Sequence, residues 1–268
     1  MKKILIVGAN SFIAKVFMNS LDRGSFVTLS VRDDKWQSYD YSTIDTIVYF
    51  AAIVHHPEIC DENLYDKVNA VIPYGMARIA KDQGVRKFIY ISSVAVFGIG
   101  PKFGARNQIT KETPLIPISL YGKSKLKGES LLNSVPELTI QIVRLPNVYG
   151  KNCPGTFYPT IRKLANLRWL PSYGAEYKFS LISVDNVAKA LNRLLNSCQS
   201  GVFIPQDTPI LSIMERIKML AKLNGIKQQH INMRILIWVA NRIFPKKYTN
   251  NLYGGFYVNP DDFPVLTD

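Results

Sequence analysis

The chain has 268 residues, of which 47% are hydrophobic and 20% charged, a composition that argues against a disordered or fibrous protein. Its formal net charge of +13 favours an anionic partner such as a nucleotide, a nucleic acid or an acidic membrane surface. Three cysteines lie far apart in the sequence, so we predict no disulfide framework and no metal site and expect a reducing, cytoplasmic location. The longest apolar stretch falls well below the ~20 residues of a membrane span, and no transmembrane segment is predicted.

Short β-branched runs alternate with helical stretches over the first 150 residues, which is typical of βαβ units around a parallel sheet. The runs are almost continuously apolar, as in strands covered by helices on both faces. The predicted strands are 4–7, 26–31, 46–50, 87–92 and 139–144. The predicted helices are 11–21, 64–83 and 121–133. This order predicts an α/β fold with a doubly wound parallel sheet.

The first strand runs directly into a turn of small residues that opens the first helix. Gly8 starts this turn, and Ser11 and Ala14 stand where glycine is more usual in a phosphate-binding turn. A helix N-terminus offers free N–H groups and a partial positive charge, so a dinucleotide pyrophosphate can bind there if no side chain blocks it. Ser11 can donate to a phosphate oxygen or simply narrow the site.

Three residues with complementary chemistry follow the fourth strand. Tyr121 and Lys125 are spaced i to i+4 on a predicted helix and therefore project from one face. A nearby ammonium favours the phenolate, so we expect the pKa of Tyr121 to be lowered. Ser93 ends the fourth strand and can hydrogen-bond the same substrate oxygen, at the sheet edge where ligands of such folds bind.

After Gly150, prolines interrupt the alternation and strands become sparse. We expect a dinucleotide-binding domain with a returning segment, followed by a smaller C-terminal substrate-binding region. The first comprises residues 1–150 with 179–198, and the second comprises 151–178 and 199–268.

Four further segments add to these motifs. They are 45–52, which ends in Ala51 and Ala52; 68–69, with Asn69; 144–150, with Asn147; and 182–188. Together with Gly8, Ser93, Tyr121 and Lys125, they make the sequence resemble the extended short-chain dehydrogenase/reductase family. More narrowly, it resembles the NAD-dependent epimerase/dehydratase group that acts on nucleotide sugars. The resemblance covers about residues 1–200 and implies a Rossmann-like sheet.

In that family a nicotinamide cofactor exchanges hydride with a sugar carbon, usually C4. The resemblance implies that Tyr121 is the acid/base, that Lys125 also binds the nicotinamide ribose and that Ser93 orients the sugar oxygen. The expected function is that of an NAD(P)-dependent epimerase or 4-keto reductase of a UDP-sugar in surface-polysaccharide biosynthesis. Dehydratases of the group carry an Asp-Glu pair where Val94 and Ala95 stand here, so we expect no dehydration.

The resemblance also implies the binding residues. Those for the cofactor are Gly8, Asn10, Ser11, Phe12, Ile13, Ser30, Arg32, Ala51, Ala52, Asn69, Tyr121 and Lys125. Those for the substrate are Ser93, Asn147 and Lys178. Phe179 occupies the place of the family arginine that clamps the substrate diphosphate, and the adjacent Lys178 is expected to substitute for it.

The choice between NAD and NADP depends on the end of the second strand. NAD preference usually rests on an acidic residue there, but no acid precedes Asp33. Ser30 and Arg32 suit the 2′-phosphate of NADP, which would favour a reductase. Arg32 is equally compatible with an exposed turn, so NAD and NADP both stay open.

A different hypothesis is a non-catalytic, cofactor-sensing or nucleic-acid-associated protein on the same fold. The basic charge favours it, whereas the intact catalytic residues argue against it, so no nucleic-acid partner is predicted. A homodimer is compatible with the sequence. Residues 233–247 are apolar on most sides, which favours a packed helix over an amphipathic helix on an anionic membrane. We assign no role to His55 and His56.

Overall fold

The computed structural model describes residues 3–54, 61–154, 157–173, 177–243, 245–263 and 266. In these ranges the strands are β1 (Lys3–Val7), β2 (Phe26–Leu29), β3 (Ile44–Tyr49), β4 (Lys87–Ser93), β5 (Lys102–Phe103), β6 (Arg106–Ile109), β7 (Thr139–Leu145), β8 (Asn147–Tyr149), β9 (Trp169–Ser172), β10 (Leu181–Ser183), β11 (Gly201–Phe203), β12 (Gln229–Asn232) and β13 (Gly254–Val258). The helices are α1 (Phe12–Asn19), α2 (Glu62–Asp66), α3 (Ile72–Asp82), α4 (Leu120–Asn133), α5 (Phe157–Ala165), α6 (Val184–Asn196), α7 (Ile213–Leu223), α8 (Arg234–Ile243) and α9 (Lys246–Tyr253).

A parallel sheet in the order β11-β7-β4-β3-β1-β2 forms the centre of the protein. Its inner strands are rich in Val and Ile and are buried on both faces, which explains why they appear as continuous apolar runs. The predicted doubly wound α/β fold is confirmed. Because β1 lies between β2 and β3, the direction of winding reverses there, and the carboxyl ends of these strands open a crevice.

Helices cover both faces of the sheet. Met76 and Ala77 of α3 pack with Leu132 of α4 on one face. Phe17 of α1 packs near Leu191 of α6 on the other. Each large side chain of this kind contributes roughly 1.5–3 kcal/mol on burial, so the two layers fix the sheet on which the candidate site is built.

The single helix predicted over 64–83 is wrong, because a π-helical turn at Lys67–Val71 separates α2 from α3. Pro73 has no N–H with which to bond the Asn69 carbonyl in a continuous α-helix. The Tyr90 hydroxyl of β4 donates to that carbonyl instead. A long-range partner therefore stabilises a break that the local pattern does not reveal.

The smaller region combines several short sheets. β8 pairs with β10, β9 pairs with β12, and β13 lies between β5 and β6. The expected boundaries need two corrections. Residues 201–203 form β11 at the edge of the central sheet, and β5 and β6 pair with the C-terminal β13.

The C-terminal helices differ from the packed helix expected over 233–247. Within α8 only Ile237 is buried, while the neighbouring α9 is tied to it by the Thr249 hydroxyl, which donates to Asn241 Oδ1 at 2.5 Å. None of the helices in the described ranges is long and apolar enough to cross a bilayer.

Candidate active site

The turn after β1 requires glycine for two reasons. Gly8 has φ of +84°, in the left-handed region that glycine adopts without strain. A Cβ at this position would also lie 2.5 Å from the backbone nitrogen of Ala51 at the end of β3. The backbone of the turn therefore lies against the residues that follow β3. Since Gly8 has no side chain, nothing at this position blocks the approach of a pyrophosphate.

Ser11 begins α1 as its N-cap. Its Oγ accepts a hydrogen bond from the backbone N–H of Ala14 at 3.1 Å, which stabilises the helix start. Because the oxygen is the acceptor in this bond, the hydroxyl proton can still be donated to a phosphate. Ser11 therefore replaces glycine without closing the helix N-terminus.

A cavity of about 720 Å³ lies over the carboxyl ends of β1, β2 and β3. Its volume is within the usual range for small-molecule sites. Seven of the predicted cofactor residues line it: Gly8, Asn10, Ser11, Ser30, Arg32, Ala51 and Ala52. The bare glycine turn, the helix start and the basic rim fit a dinucleotide phosphate.

Five predicted cofactor residues lie outside the lining of this cavity. Phe12 and Ile13 form the first turn of α1, where Ile13 packs against the core. Asn69 is completely buried, and Tyr121 and Lys125 belong to α4, over the neighbouring strand β4.

Asn69 bonds to the protein on three sides. Its Nδ2 donates to the Ile53 carbonyl at 3.0 Å and to Ser124 Oγ at 2.9 Å, while its Oδ1 accepts from Ile53 N–H at 3.0 Å. The side chain thus ties the loop after β3 to α4, and its direct contact with the cofactor stays a prediction. This loop lines the cavity, so Asn69 positions it.

The end of β2 is basic where NAD-specific sites are acidic. Ser30 Oγ accepts from Arg32 N–H at 3.2 Å, and both residues line the cavity together with Lys67. Asp33 caps the following turn through Lys35 N–H and forms an exposed ion pair with the Lys35 ammonium at 3.5 Å. No carboxylate is found among the described lining residues.

The three predicted catalytic residues meet at the end of β4. Ser119 caps α4 by accepting from Gly122 N–H at 3.0 Å, which fixes the first turn that carries Tyr121. The Ser93 hydroxyl lies close enough to the Tyr121 hydroxyl to act on its pKa. Lys125 lies with Nζ 6.0 Å from the centre of the Tyr121 ring.

The pKa of Tyr121 is raised and not lowered as the sequence predicted. Burial raises the pKa of Tyr121 to about 12, and the nearby Ser93 hydroxyl only partly opposes this. Burial also lowers the pKa of Lys125 to about 7, so that its charge near neutral pH is incomplete. The expectation was wrong for this reason, since it assumed a fully charged and solvated ammonium.

Lys125 belongs to a buried polar network that was not predicted. Its Nζ donates to the Ile91 carbonyl at 2.8 Å, and the carboxylate of Glu129, one helical turn later, raises its pKa against the effect of burial. Glu129 Oε1 accepts from Ser92 Oγ at 2.5 Å and pairs with Arg144. The signal was present in the sequence as a carboxylate four residues after Lys125, on the same helix face.

Two of the predicted substrate residues lie outside the central sheet. Asn147 is exposed at the start of β8. Lys178 is exposed, with Nζ 5.6 Å from the centre of the Tyr257 ring. Phe179 is fully buried in a hydrophobic cluster with Phe256 and Val258, so the position of the family arginine is structural here.

A second polar cluster near β8 was also missed. Tyr149 donates to Asp207 Oδ2 at 2.5 Å, and the Arg216 guanidinium lies 3.8 Å from the same oxygen. Tyr149 is two residues after Asn147, so both side chains point to one face of the strand. The cluster fixes that face, and Tyr149 is 58 residues away from Asp207 in the sequence, so no local motif connects them.

Comparison with known proteins agrees with this geometry. The sequence model of the NAD dependent epimerase/dehydratase family matches residues 4–203. The chain belongs to this family. It is therefore an NAD(P)-dependent oxidoreductase or epimerase of the short-chain dehydrogenase/reductase type, and the predicted family is confirmed. His55 and His56 lie outside the described residues.

Individual relatives of this family member are distant. It is 25% identical to a UDP-glucose 4-epimerase of Vibrio cholerae, over 82% of the chain and 75% of the relative. It is 24% identical to an N-acetyl-alpha-D-glucosaminyl-diphospho-ditrans,octacis-undecaprenol 4-epimerase of Escherichia coli O157:H7, over 80% and 70%. A dTDP-4-dehydrorhamnose reductase of Bacillus anthracis, solved with NADP, superposes with a TM-score of 0.69 at 19% identity, covering 99% of this chain and 95% of the other.

Proposed function

We propose that this enzyme exchanges hydride between NAD(P) and C4 of a nucleotide sugar, with Tyr121 as the acid and base at the sugar oxygen. The observation that carries the proposal is the placement of Tyr121 beside Ser93, with Lys125 Nζ 6.0 Å from the centre of the tyrosine ring. Bound NAD(P) supplies or accepts the hydride. The cofactor would occupy the cavity beside Gly8, at the same edge of the sheet.

The protonation of Tyr121 favours its action as an acid. With a pKa of about 12, the hydroxyl keeps its proton near neutral pH and can donate it to the oxygen of a 4-keto sugar during reduction. The nearby Ser93 lowers the pKa of Tyr121 against the effect of burial, and its hydroxyl would stabilise the phenolate that remains.

The rim of the cavity favours NADPH and hence 4-keto reduction. Ser30 and Arg32 provide a hydroxyl and a guanidinium for a 2′-phosphate, and no carboxylate among the described lining residues would repel it. A 4-epimerase is the second candidate, favoured by the names of the relatives from Vibrio cholerae and Escherichia coli.

The substrate class in this proposal is a sugar carried on a diphosphate, with a UDP-sugar as the first choice. Asn147 and Lys178 would contact the diphosphate, while the central sheet and its helices would hold the cofactor. The Escherichia coli relative is named for a polyprenol-linked sugar, which is the same diphosphate chemistry on a different carrier. We propose a role in surface-polysaccharide biosynthesis.

Product analysis tests the function. The purified protein is incubated with a UDP-4-keto-6-deoxy sugar, UDP-GlcNAc, UDP-Gal or undecaprenyl-diphospho-GlcNAc, each with NADH and with NADPH, and products are identified by NMR. A reductase consumes NADPH in proportion to the 4-keto sugar, and an epimerase changes C4 without net loss of cofactor. The proposal fails if no sugar is converted. Salt-dependent binding to RNA in the absence of turnover would favour the non-catalytic hypothesis.

A further inference from the structure

Helix α8 presents its apolar side chains to solvent. Ile235, Leu236 and Ile243 are 79%, 59% and 72% exposed, and Trp238 and Val239 are also exposed. We call these five residues the α8 patch. A surface helix of a globular protein normally has the opposite arrangement, with its apolar face turned inward. Contiguous exposed apolar surface of this kind marks an interaction site.

The exposure belongs to one face of a helix that is docked on its other face. Ile235, Val239 and Ile243 follow an i, i+4, i+8 spacing and lie in a row. Ile237 faces the protein and is buried. The bond from Thr249 to Asn241 holds α8 against α9, so the outward face is a fixed feature of the fold.

Basic residues accompany the α8 patch along the chain. Between residues 217 and 260 the sequence contains seven Lys and Arg residues and no Asp or Glu. Arg242 lies with its guanidinium 4.0 Å from the centre of the Trp238 ring, and Arg234 begins the helix. Exposed Lys246 starts the next helix. The surface therefore combines apolar side chains with a positive rim.

The combination of apolar side chains and positive charge helps to choose between two candidate partners of the α8 patch, a second copy of the chain and an anionic bilayer. A second copy of the chain would bring the same uncompensated positive charges against each other, and like charges across an interface are unfavourable. An anionic bilayer matches both properties, because its acyl region accepts the apolar row and its headgroups attract the basic rim. The cation–π pair of Arg242 and Trp238 suits the interfacial level of such a membrane.

We propose that the α8 patch binds an anionic lipid surface, with α8 lying in the plane of the interface. At ten residues the helix is about 15 Å long, far too short to span a bilayer but long enough to insert its apolar row below the headgroups. Arg234, Arg242 and Lys246 would remain among the lipid phosphates. The inference rests on α8 and its charges and does not depend on the proposed hydride transfer.

Vesicle binding tests the inference with the full chain. The protein is sedimented with vesicles of phosphatidylcholine alone or of phosphatidylcholine mixed with phosphatidylglycerol, at low and high salt. Binding is expected to the mixed vesicles at low salt and to fall steeply with added salt. Trp238 fluorescence should shift to the blue on binding, and the shift should be absent in Trp238→Phe.

Substitutions in α8 distinguish binding through the α8 patch from non-specific adsorption to vesicles. The double variant Ile235→Asn/Ile243→Asn should bind the mixed vesicles at least about tenfold more weakly, since two apolar side chains no longer enter the interface. Arg242→Gln should weaken binding by about fivefold. Val71→Asn removes an exposed apolar side chain from the nucleotide-binding domain and should leave binding unchanged.

The result that would overturn the inference is equal sedimentation of wild type and the double variant, or no binding of wild type to anionic vesicles. A dimer in analytical ultracentrifugation that the double variant dissociates would also overturn it, because the patch would then be a protein interface. Thermal unfolding and NADPH binding of each variant show whether it is folded. Turnover of a nucleotide sugar without vesicles reports on the proposed function separately.

Discussion

Arg144 and Glu129 form a two-armed ion pair in the interior, with Arg144 Nη2 2.6 Å from Glu129 Oε2 and Nε 3.1 Å from Oε1. Both side chains are almost fully buried. The pair joins β7 to α4 one helical turn after Lys125. It therefore fixes the helix that carries Tyr121 and Lys125 to the sheet, and it supplies the carboxylate that supports the charge of Lys125.

Removing one partner of this pair should be strongly destabilising. In Glu129→Gln the Arg144 guanidinium stays buried without its counter-charge, and we expect the free energy of unfolding to fall by about 3–5 kcal/mol. Urea denaturation measures this change. The double variant Glu129→Gln/Arg144→Met removes both charges and should lose less than the sum of the two single variants.

A surface pair provides the matched control. Arg86 contacts Asp45 at 2.5 Å but is 75% exposed, so Arg86→Gln should cost less than about 1 kcal/mol. If Glu129→Gln unfolded at the same urea concentration as Arg86→Gln, the buried pair would have no special role in holding α4.

The buried Lys125 predicts a pH dependence of stability. Its pKa is about 7 in the folded protein and about 10.4 in an unfolded chain. Between these pH values the unfolded chain binds more protons at this site, so its contribution to stability rises with pH. Below pH 7 the folded protein bears the full penalty of a buried ammonium.

Lys125→Met has no such group and gives the comparison. Unfolding free energies of wild type and Lys125→Met are measured from pH 6 to 10. Wild type should gain stability relative to the variant as pH rises above about 7, while other titrations cancel in the difference. A constant difference over this range would mean that Lys125 has an ordinary pKa in the folded state.

The acid/base role of Tyr121 predicts a large effect on turnover and little on cofactor binding. Tyr121→Phe should lower kcat by about a hundredfold to ten-thousandfold, with the Kd for NADPH nearly unchanged. Ser93→Ala removes the hydroxyl that lowers the tyrosine pKa, so the pH profile for sugar oxidation should shift to higher pH. Turnover that survived Tyr121→Phe would assign the proton to another group.

The parts of this fold that could be predicted are those with a local cause. β1, β3, β4 and β7 are buried on both faces, and such strands leave continuous apolar runs in a sequence. β11 has only three residues and gives no periodic signal. Its place in the central sheet follows from pairing with β7, which the sequence alone does not reveal.

The residues of the candidate site also differ in whether a local motif or a long-range contact defines them. Gly8, Ser93, Tyr121 and Lys125 belong to short motifs, whereas the partners of Glu129 and the bonds of Asn69 come from distant segments. The sequence shows that α8 is rich in apolar residues. It does not show whether these residues are buried, because that depends on tertiary packing. The pKa of Tyr121 was misjudged because burial, and not the spacing to Lys125, dominates it.

The basic end of β2 predicts the cofactor preference. Arg32 is exposed and lines the cavity with Ser30, so Arg32→Ala should weaken NADPH binding by about tenfold to a hundredfold, as expected for loss of hydrogen bonds to a charged group. NADH lacks the 2′-phosphate and its Kd should stay the same. Arg23→Ala removes an exposed arginine that lies just before β2 and should change neither Kd. Isothermal titration calorimetry with both cofactors distinguishes these outcomes. An equal loss of affinity for NADH and NADPH would mean that Arg32 contacts the pyrophosphate or stabilises the turn. The argument for a reductase would then be lost.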